Sequence, residues 1–257
     1  MPVSLTLSAG TLYGFLLVLA RVGGALVFVP LPGVKGAPEP ARAALALGFA
    51  LALFSRWPAI DAAAATVGRL AAWAVAESAV GVAIGVSMGI ALEVFGLAAQ
   101  LLGLQAGYSF ASTIDPNTEA DSGILVVFAQ LIAGVLFFAV GLDRQVLRLF
   151  AYSLEKIPAG TYHFSGYTAE PLIALGGALF SVGVRLALPV VALLVMLDVA
   201  LALLGRLNQQ LQLLHMAFPA KMLTALLALS WLAALFPRIL LGFGGQAWTA
   251  ARRMLGI

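Results

Sequence analysis

Residues 70–108 read LAAWAVAESAVGVAIGVSMGIALEVFGLAAQLLGLQAGY, a stretch without proline in which Glu77 and Glu93 are the sole charges. Crossing the hydrocarbon of a bilayer takes about 20 apolar residues in a helix. The stretch is about twice that length, so it forms either one very long helix or two. Gly81, Gly85, Gly89, Gly96, Gly103 and Gly107 punctuate it, and each lowers intrinsic helix stability by about 1 kcal/mol relative to alanine. Close helix–helix approach compensates for that cost. Gly81, Gly85 and Gly89 are spaced by fours, the small-xxx-small pattern that lets two backbones touch, and Gly103 is read as a packing glycine of the same helix.

Working outward, about five further apolar blocks flank this one. Thr11 to Val29 is interrupted by Arg21 and stops at Pro30, where PLPGVKGAPEP cannot continue a helix because proline lacks an amide donor and restrains its predecessor. Ala41 to Trp57 ends at Pro58. After the polar interruption SFASTIDPNTEADSG, with Asp115, Glu119 and Asp121, Ile124 to Leu142 forms a charge-free span closed by Asp143, Arg144 and Arg148. Tyr152 to Glu170 reads as an amphipathic or looped connection. Leu172 to Leu204 again exceeds one crossing and holds Arg185, Pro189 and Asp198, and Met222 to Leu241 precedes a tail with Arg252 and Arg253. The expected class is an all-α integral membrane protein forming a single membrane domain over residues 1–257, with several long or broken helices paired as hairpins.

Composition agrees. The 257 residues are 62% hydrophobic and 10% charged, against roughly 25% charged in soluble domains, and the mean hydropathy is +1.05. A soluble enzyme, a disordered chain and a disulfide scaffold are excluded. The absence of cysteine removes thiol chemistry, and two histidines make a His-built metal site improbable. No metal and no cofactor is expected. A net charge of +3 is spread singly between apolar runs, which is juxtamembrane charge and not a nucleic-acid surface. No cleavable signal peptide is expected, because nothing basic precedes Thr11.

Five charges lie inside apolar blocks: Arg21, Glu77, Glu93, Arg185 and Asp198. A charge at the bilayer centre costs at least about 2.5 kcal/mol, so each should face protein or water. They read as buried charges paired with each other or with a partner subunit; an ion or proton pathway is the alternative. Counting Lys and Arg along the loops favours neither orientation in the membrane. Either some blocks are hairpins that do not cross, or the chain is inserted into an assembly. No catalytic constellation is present: His163 and His215 have no acidic neighbour, and GFGGQ after Leu241 lacks the Lys and Ser/Thr of a phosphate loop and reads as a helix stop.

Three stretches carry a resemblance: PLPGVKGAPEPAR at Pro30 to Arg42, GLQAGYSFASTIDPN at Gly103 to Asn117, and LGRLNQQLQLLHMAFPAK at Leu204 to Lys221. In order and spacing they resemble the FliR family of flagellar export-gate subunits and its injectisome counterparts in type III secretion, and the second motif favours the flagellar branch. The resemblance implies a non-enzymatic subunit, one copy of which joins several copies of smaller P and Q subunits around a channel in the bacterial inner membrane. That channel, within the flagellar basal body, would pass unfolded exported proteins, with the large A and B export-apparatus membrane proteins as further partners. It implies a P-like part over about residues 1–170 and a Q-like helical hairpin part over about 171–257. It also implies that loop 107–122 is the plug of the closed channel, with Gly107, Tyr108, Ser109, Phe110, Ile114, Asp115 and Pro116 as gate residues. From the residues alone, a secondary transporter for a small solute remains the rival reading.

Overall fold

A computed structural model describes residues 8–29, 38–61, 65–108, 123–162, 169–207 and 213–256. Among the described residues there are eight α-helices, a 3-10 turn at Phe54–Arg56 and no strand. The helices are α1 (Ala9–Leu26), α2 (Glu39–Ala52), α3 (Val67–Ala106), α4 (Ile124–Ala139), α5 (Leu142–Lys156), α6 (Ala169–Leu207), α7 (Leu213–Ala233) and α8 (Phe236–Leu255). Three of them, α1, α3 and α6, are long and apolar enough to cross a membrane, or up to five spans exist if the broken pairs α4/α5 and α7/α8 each count as one.

The long stretch is one helix. The 40 residues of α3 extend about 60 Å, twice the thickness of a hydrocarbon core. Its apolar residues surround the axis on all sides, which suits a helix enclosed by protein, and 67% of its most apolar window is buried. It ends in a Schellman motif: Gly107 takes φ +88°, Tyr108 N–H donates to the Gly103 carbonyl at 3.0 Å and Gly107 N–H to Leu104 at 3.3 Å. A left-handed residue at that position is the ordinary use of glycine.

Three expectations need correction. The fourth block does not run to Leu142: α4 stops at Ala139, and Gly141, at φ +78°, turns the chain into α5. The block from Met222 is broken at Ala234 and Leu235, with α7 and α8 bent by 60°; Pro237 in the first turn of α8 favours a helix start there. GFGGQ is not a stop, because residues 242–246 lie inside α8. That helix is held by a face of Phe236, Leu240, Phe243, Ala247, Ala251 and Met254, all buried, whose three- and four-residue spacing outweighs the weak propensity of its glycines.

The chain forms two compact units, one of residues 1–90, 141–175 and 244–257, the other of 91–140 and 176–243. In the first, α1 and α3 touch backbone to backbone. A Cβ built on Gly81 would overlap the Arg21 carbonyl oxygen, one on Gly85 the Ala25 carbonyl oxygen, and one on Gly24 of α1 the Ser78 carbonyl oxygen. Gly89 meets Phe28 at 2.8 Å in the same sense. At Gly103, by contrast, nothing among the described residues lies within 4 Å, so its place is in the helix terminus and not in a helix crossing. Gly10 and Gly14 of α1 admit the chain after α2, whose Ile60 and Pro58 carbonyl oxygens lie against them. Trp57 closes that corner, stacked on Phe15 at 4.7 Å and donating from Nε1 to the Ala50 carbonyl at 2.8 Å. In the second unit, Phe95 and Phe236 pack at 4.2 Å, and Gly183 of α6 receives Leu97, whose Cδ2 would lie 2.8 Å from a Cβ there.

Two alanine substitutions separate these roles. Gly81→Ala drives a methyl into backbone that cannot yield, and we expect it to cost about 1–3 kcal/mol, while Gly103→Ala should be neutral or gain up to about 1 kcal/mol. Thermal unfolding in detergent, followed by tryptophan fluorescence, checks both; equal effects at the two glycines would contradict the contact between α1 and α3.

Candidate functional site: a buried charge hub and a polar cluster at the end of α3

Glu77 and Gly81 are four residues apart on one face of α3, and Arg21 and Ala25 are four apart on α1, so the glycine contact brings the two charges together. Both are fully buried. Arg21 Nε donates to Glu77 Oε2 at 2.5 Å. Arg21 Nη1 donates to Ser153 Oγ at 3.1 Å and Nη2 to the Ile157 carbonyl at 2.9 Å, both at the C-terminal end of α5, where unpaired carbonyls favour a cation. Ser153 Oγ in turn donates to the Phe150 carbonyl at 2.8 Å. Glu77 Oε1 accepts from Gly160 N–H at 2.9 Å. One guanidinium and one carboxylate thus hold α1, α3, α5 and the turn after α5. Ser153, Ile157 and Gly160 carry no signal in the sequence, since two of the three contribute backbone groups.

The second unit holds a smaller polar cluster beside the end of α3. Lys221 Nζ of α7 lies 2.9 Å from the Asp198 carboxylate of α6, and Gln105 Nε2 of α3 donates to Asp198 Oδ2 at 3.2 Å. Tyr108 OH donates to the Met222 carbonyl at 2.9 Å, and partial burial raises its phenol pKa. Gln105 belongs to the second sequence motif and Lys221 to the third, so two residues 116 positions apart meet on the Asp198 carboxylate. Gln105 and Lys221 escaped the sequence reading, although each is the polar residue at the edge of an apolar run inside a motif.

Of the other predicted residues, Glu93 is half-buried, and its Oε2 and Gln130 Nε2 lie over Gly96, at 3.3 and 3.5 Å from a Cβ built there. Arg185 is exposed on α6. Gly107 forms the helix cap. Ser109, Phe110, Ile114, Asp115 and Pro116 fall outside the described residues, as does most of PLPGVKGAPEPAR. Among the described residues no group of three His, Cys, Asp or Glu could hold a metal ion.

Breaking the hub on one side should be severe. Arg21→Met leaves Glu77 buried without its partner, and we expect a loss of about 3–5 kcal/mol; the double variant Arg21→Met, Glu77→Met should recover most of it, because apolar residues of similar volume avoid the desolvation cost. Limited trypsinolysis and thermal unfolding in detergent report both, and a double variant as unstable as the single would contradict the pairing.

The chain matches, over residues 12–244, the family described as bacterial export proteins, family 1. The flagellar biosynthetic protein FliR of Escherichia coli (strain K12) is 29% identical, over 86% of this chain and 83% of that protein. That of Caulobacter vibrioides is 26% identical over 88% and 89%, and the secretion system apparatus protein SsaT of Salmonella typhimurium is 26% identical over 60% of each. With a match across nearly its whole length and FliR proteins among its relatives, this all-helical membrane chain belongs to family 1 of the bacterial export proteins.

Proposed function

We propose that the chain is a subunit of the flagellar type III protein-export gate, forming with P and Q subunits the inner-membrane channel through which unfolded flagellar proteins leave the cytoplasm. It is read as non-enzymatic, with the large A and B membrane proteins of the apparatus nearby and residues 1–170 and 171–257 as its P-like and Q-like parts. The flagellar reading is favoured over the injectisome one because the relatives that match more than four-fifths of the chain, those of Escherichia coli and Caulobacter among them, are FliR proteins.

The observation that carries the reading is the anchoring of the end of α3, from which residues 109–122 continue. Gly107 ends the helix sharply, and the last polar side chains before the loop are tied to two other helices, Gln105 to Asp198 of α6 and Tyr108 to Met222 of α7. A plug needs a fixed root, so that its tip returns to the same place after displacement. In our reading loop 107–122 fills the closed channel with Tyr108, Phe110 and Ile114, apolar groups that exclude water and with it ions. Ser109 and the turn at Asp115 and Pro116 direct the chain back towards α4. Opening is mechanical displacement by the substrate, with energy supplied elsewhere in the apparatus.

Deleting residues 109–114 while keeping the Tyr108 anchor should leave assembly intact and make the closed gate conduct ions. Membrane conductance measured alongside export of a flagellar substrate checks this; assembled gates that stay tight without those residues overturn the plug. Tyr108→Phe removes one hydrogen bond, about 1 kcal/mol, and should raise the leak by a smaller amount than the deletion.

A further inference from the structure

Of the three helices long and apolar enough to cross a membrane, the most apolar is the least covered. The best window of α6 has a mean hydropathy of 2.6, yet 22% of it is buried, against 67% for α3. Large side chains are exposed along it from Ile173 through Phe180, Leu188, Met196 and Val199 to Leu203, a stretch of about 45 Å. Even tilted by 40°, it spans about 34 Å, more than the roughly 30 Å that lipid hydrocarbon can cover. Within the second unit α6 and the end of α3 leave a mainly apolar groove of about 400 Å³, lined by Leu101, Leu104 and Gln105 on one side and Val184, Leu188 and Val191 on the other. Arg185 follows the lining residue Val184 on α6, one turn from Leu188, and is exposed.

Where this chain buries Arg21 it supplies Glu77, and where Asp198 lies on α6 it supplies Lys221. No described residue does the same for Arg185. Lipid phosphate is a poor substitute: Arg185 sits about 18 Å along the helix from the nearer end of the exposed stripe, beyond the reach of a side chain that snorkels to the headgroups.

We propose that this groove seats a transmembrane helix of another membrane subunit, and that a carboxylate on that helix pairs with Arg185. The apolar side chains of the incoming helix fill the space between α3 and α6. Its acid, placed at the depth of Arg185, fixes the register and excludes helices that lack one. The inference rests on the chain working inside a membrane complex, but it does not depend on the plug.

The test is retention of co-purifying membrane subunits by the tagged full chain, extracted from its native membrane in mild detergent and weighed by mass spectrometry. Arg185→Glu and the uncharged Arg185→Gln should each lower retention of one subunit by about tenfold or more, and Arg185→Lys much less. Replacing a membrane-embedded Asp or Glu of that subunit by Arg should restore retention by Arg185→Glu. Unchanged retention in Arg185→Glu and Arg185→Gln overturns the inference. So does a loss that no such reversal repairs, including one repaired by adding phosphatidylglycerol nanodiscs, which assigns Arg185 to lipid. Should Arg185→Glu fail to fold, judged by its trypsin pattern, Arg185→Gln with the subunit's carboxylate replaced by its amide decides: additive losses overturn the pairing. A wild-type chain that purifies alone overturns the inference together with the export-gate reading.

Discussion

The pair formed by Arg21 and Glu77 is the constraint to which the first unit is built. Neither charge can leave the interior, and neither can stay there alone, so every element that touches them is placed by their remaining hydrogen-bonding capacity. Arg21 has donors to spare after Glu77 and spends them on the end of α5; Glu77 has an oxygen to spare and accepts the Gly160 amide. The Coulomb gain of such a pair is largely offset by desolvation, so its contribution is to geometry more than to stability. That geometry requires α1 and α3 to approach until their backbones touch, which is why Gly81 and Gly85 stand where they do.

An apolar chain with so few charges has little other means of choosing one arrangement of helices over another. Leucine and valine faces pack against many partners at similar energy, particularly where lipid competes on equal terms. Polar contacts therefore set register: the hub in the first unit, and in the second the cluster of Gln105, Asp198 and Lys221 with Tyr108 beside it. The second cluster is the more exposed of the two, with 41% of the Asp198 side chain accessible, and it stands at the root of the loop assigned to the gate. A fully buried hub and a lighter, half-exposed clasp would suit the gate proposed above, in which the subunit stays assembled while one loop is displaced.

Much of this was legible in the residues. Apolar runs bounded by prolines located the helices, the spacing of Gly81, Gly85 and Gly89 announced a close crossing, and the charges inside apolar runs demanded partners. The partners themselves were not legible, because Arg21 and Glu77 are 56 residues apart with α2 between them, and two of the other three ligands of the hub are backbone groups that any residue supplies. The six apolar blocks became eight helices for local reasons. Gly141 turns the chain where the run of hydrophobic letters shows no break, and Pro237 restarts a helix that composition alone would continue. The glycines of GFGGQ mislead in the opposite direction, since the buried face of α8 holds them helical. In the second motif the cap at Gly107 and the anchor at Tyr108 emerge from the structure, whereas the roles proposed for Ser109 to Pro116 rest on the resemblance alone.

The central claim is that the loop after α3 lies in the path of the exported protein. The most direct measurement places a photo-cross-linking amino acid at Phe110 in cells and stalls a flagellar substrate in the act of export by fusing it to a domain that cannot unfold. If the account is right, the stalled substrate is the principal cross-linked product, and the idle gate yields cross-links to its own subunits instead. A residue 110 that never reaches the stalled substrate, while a probe at another membrane position of the gate does, would contradict it.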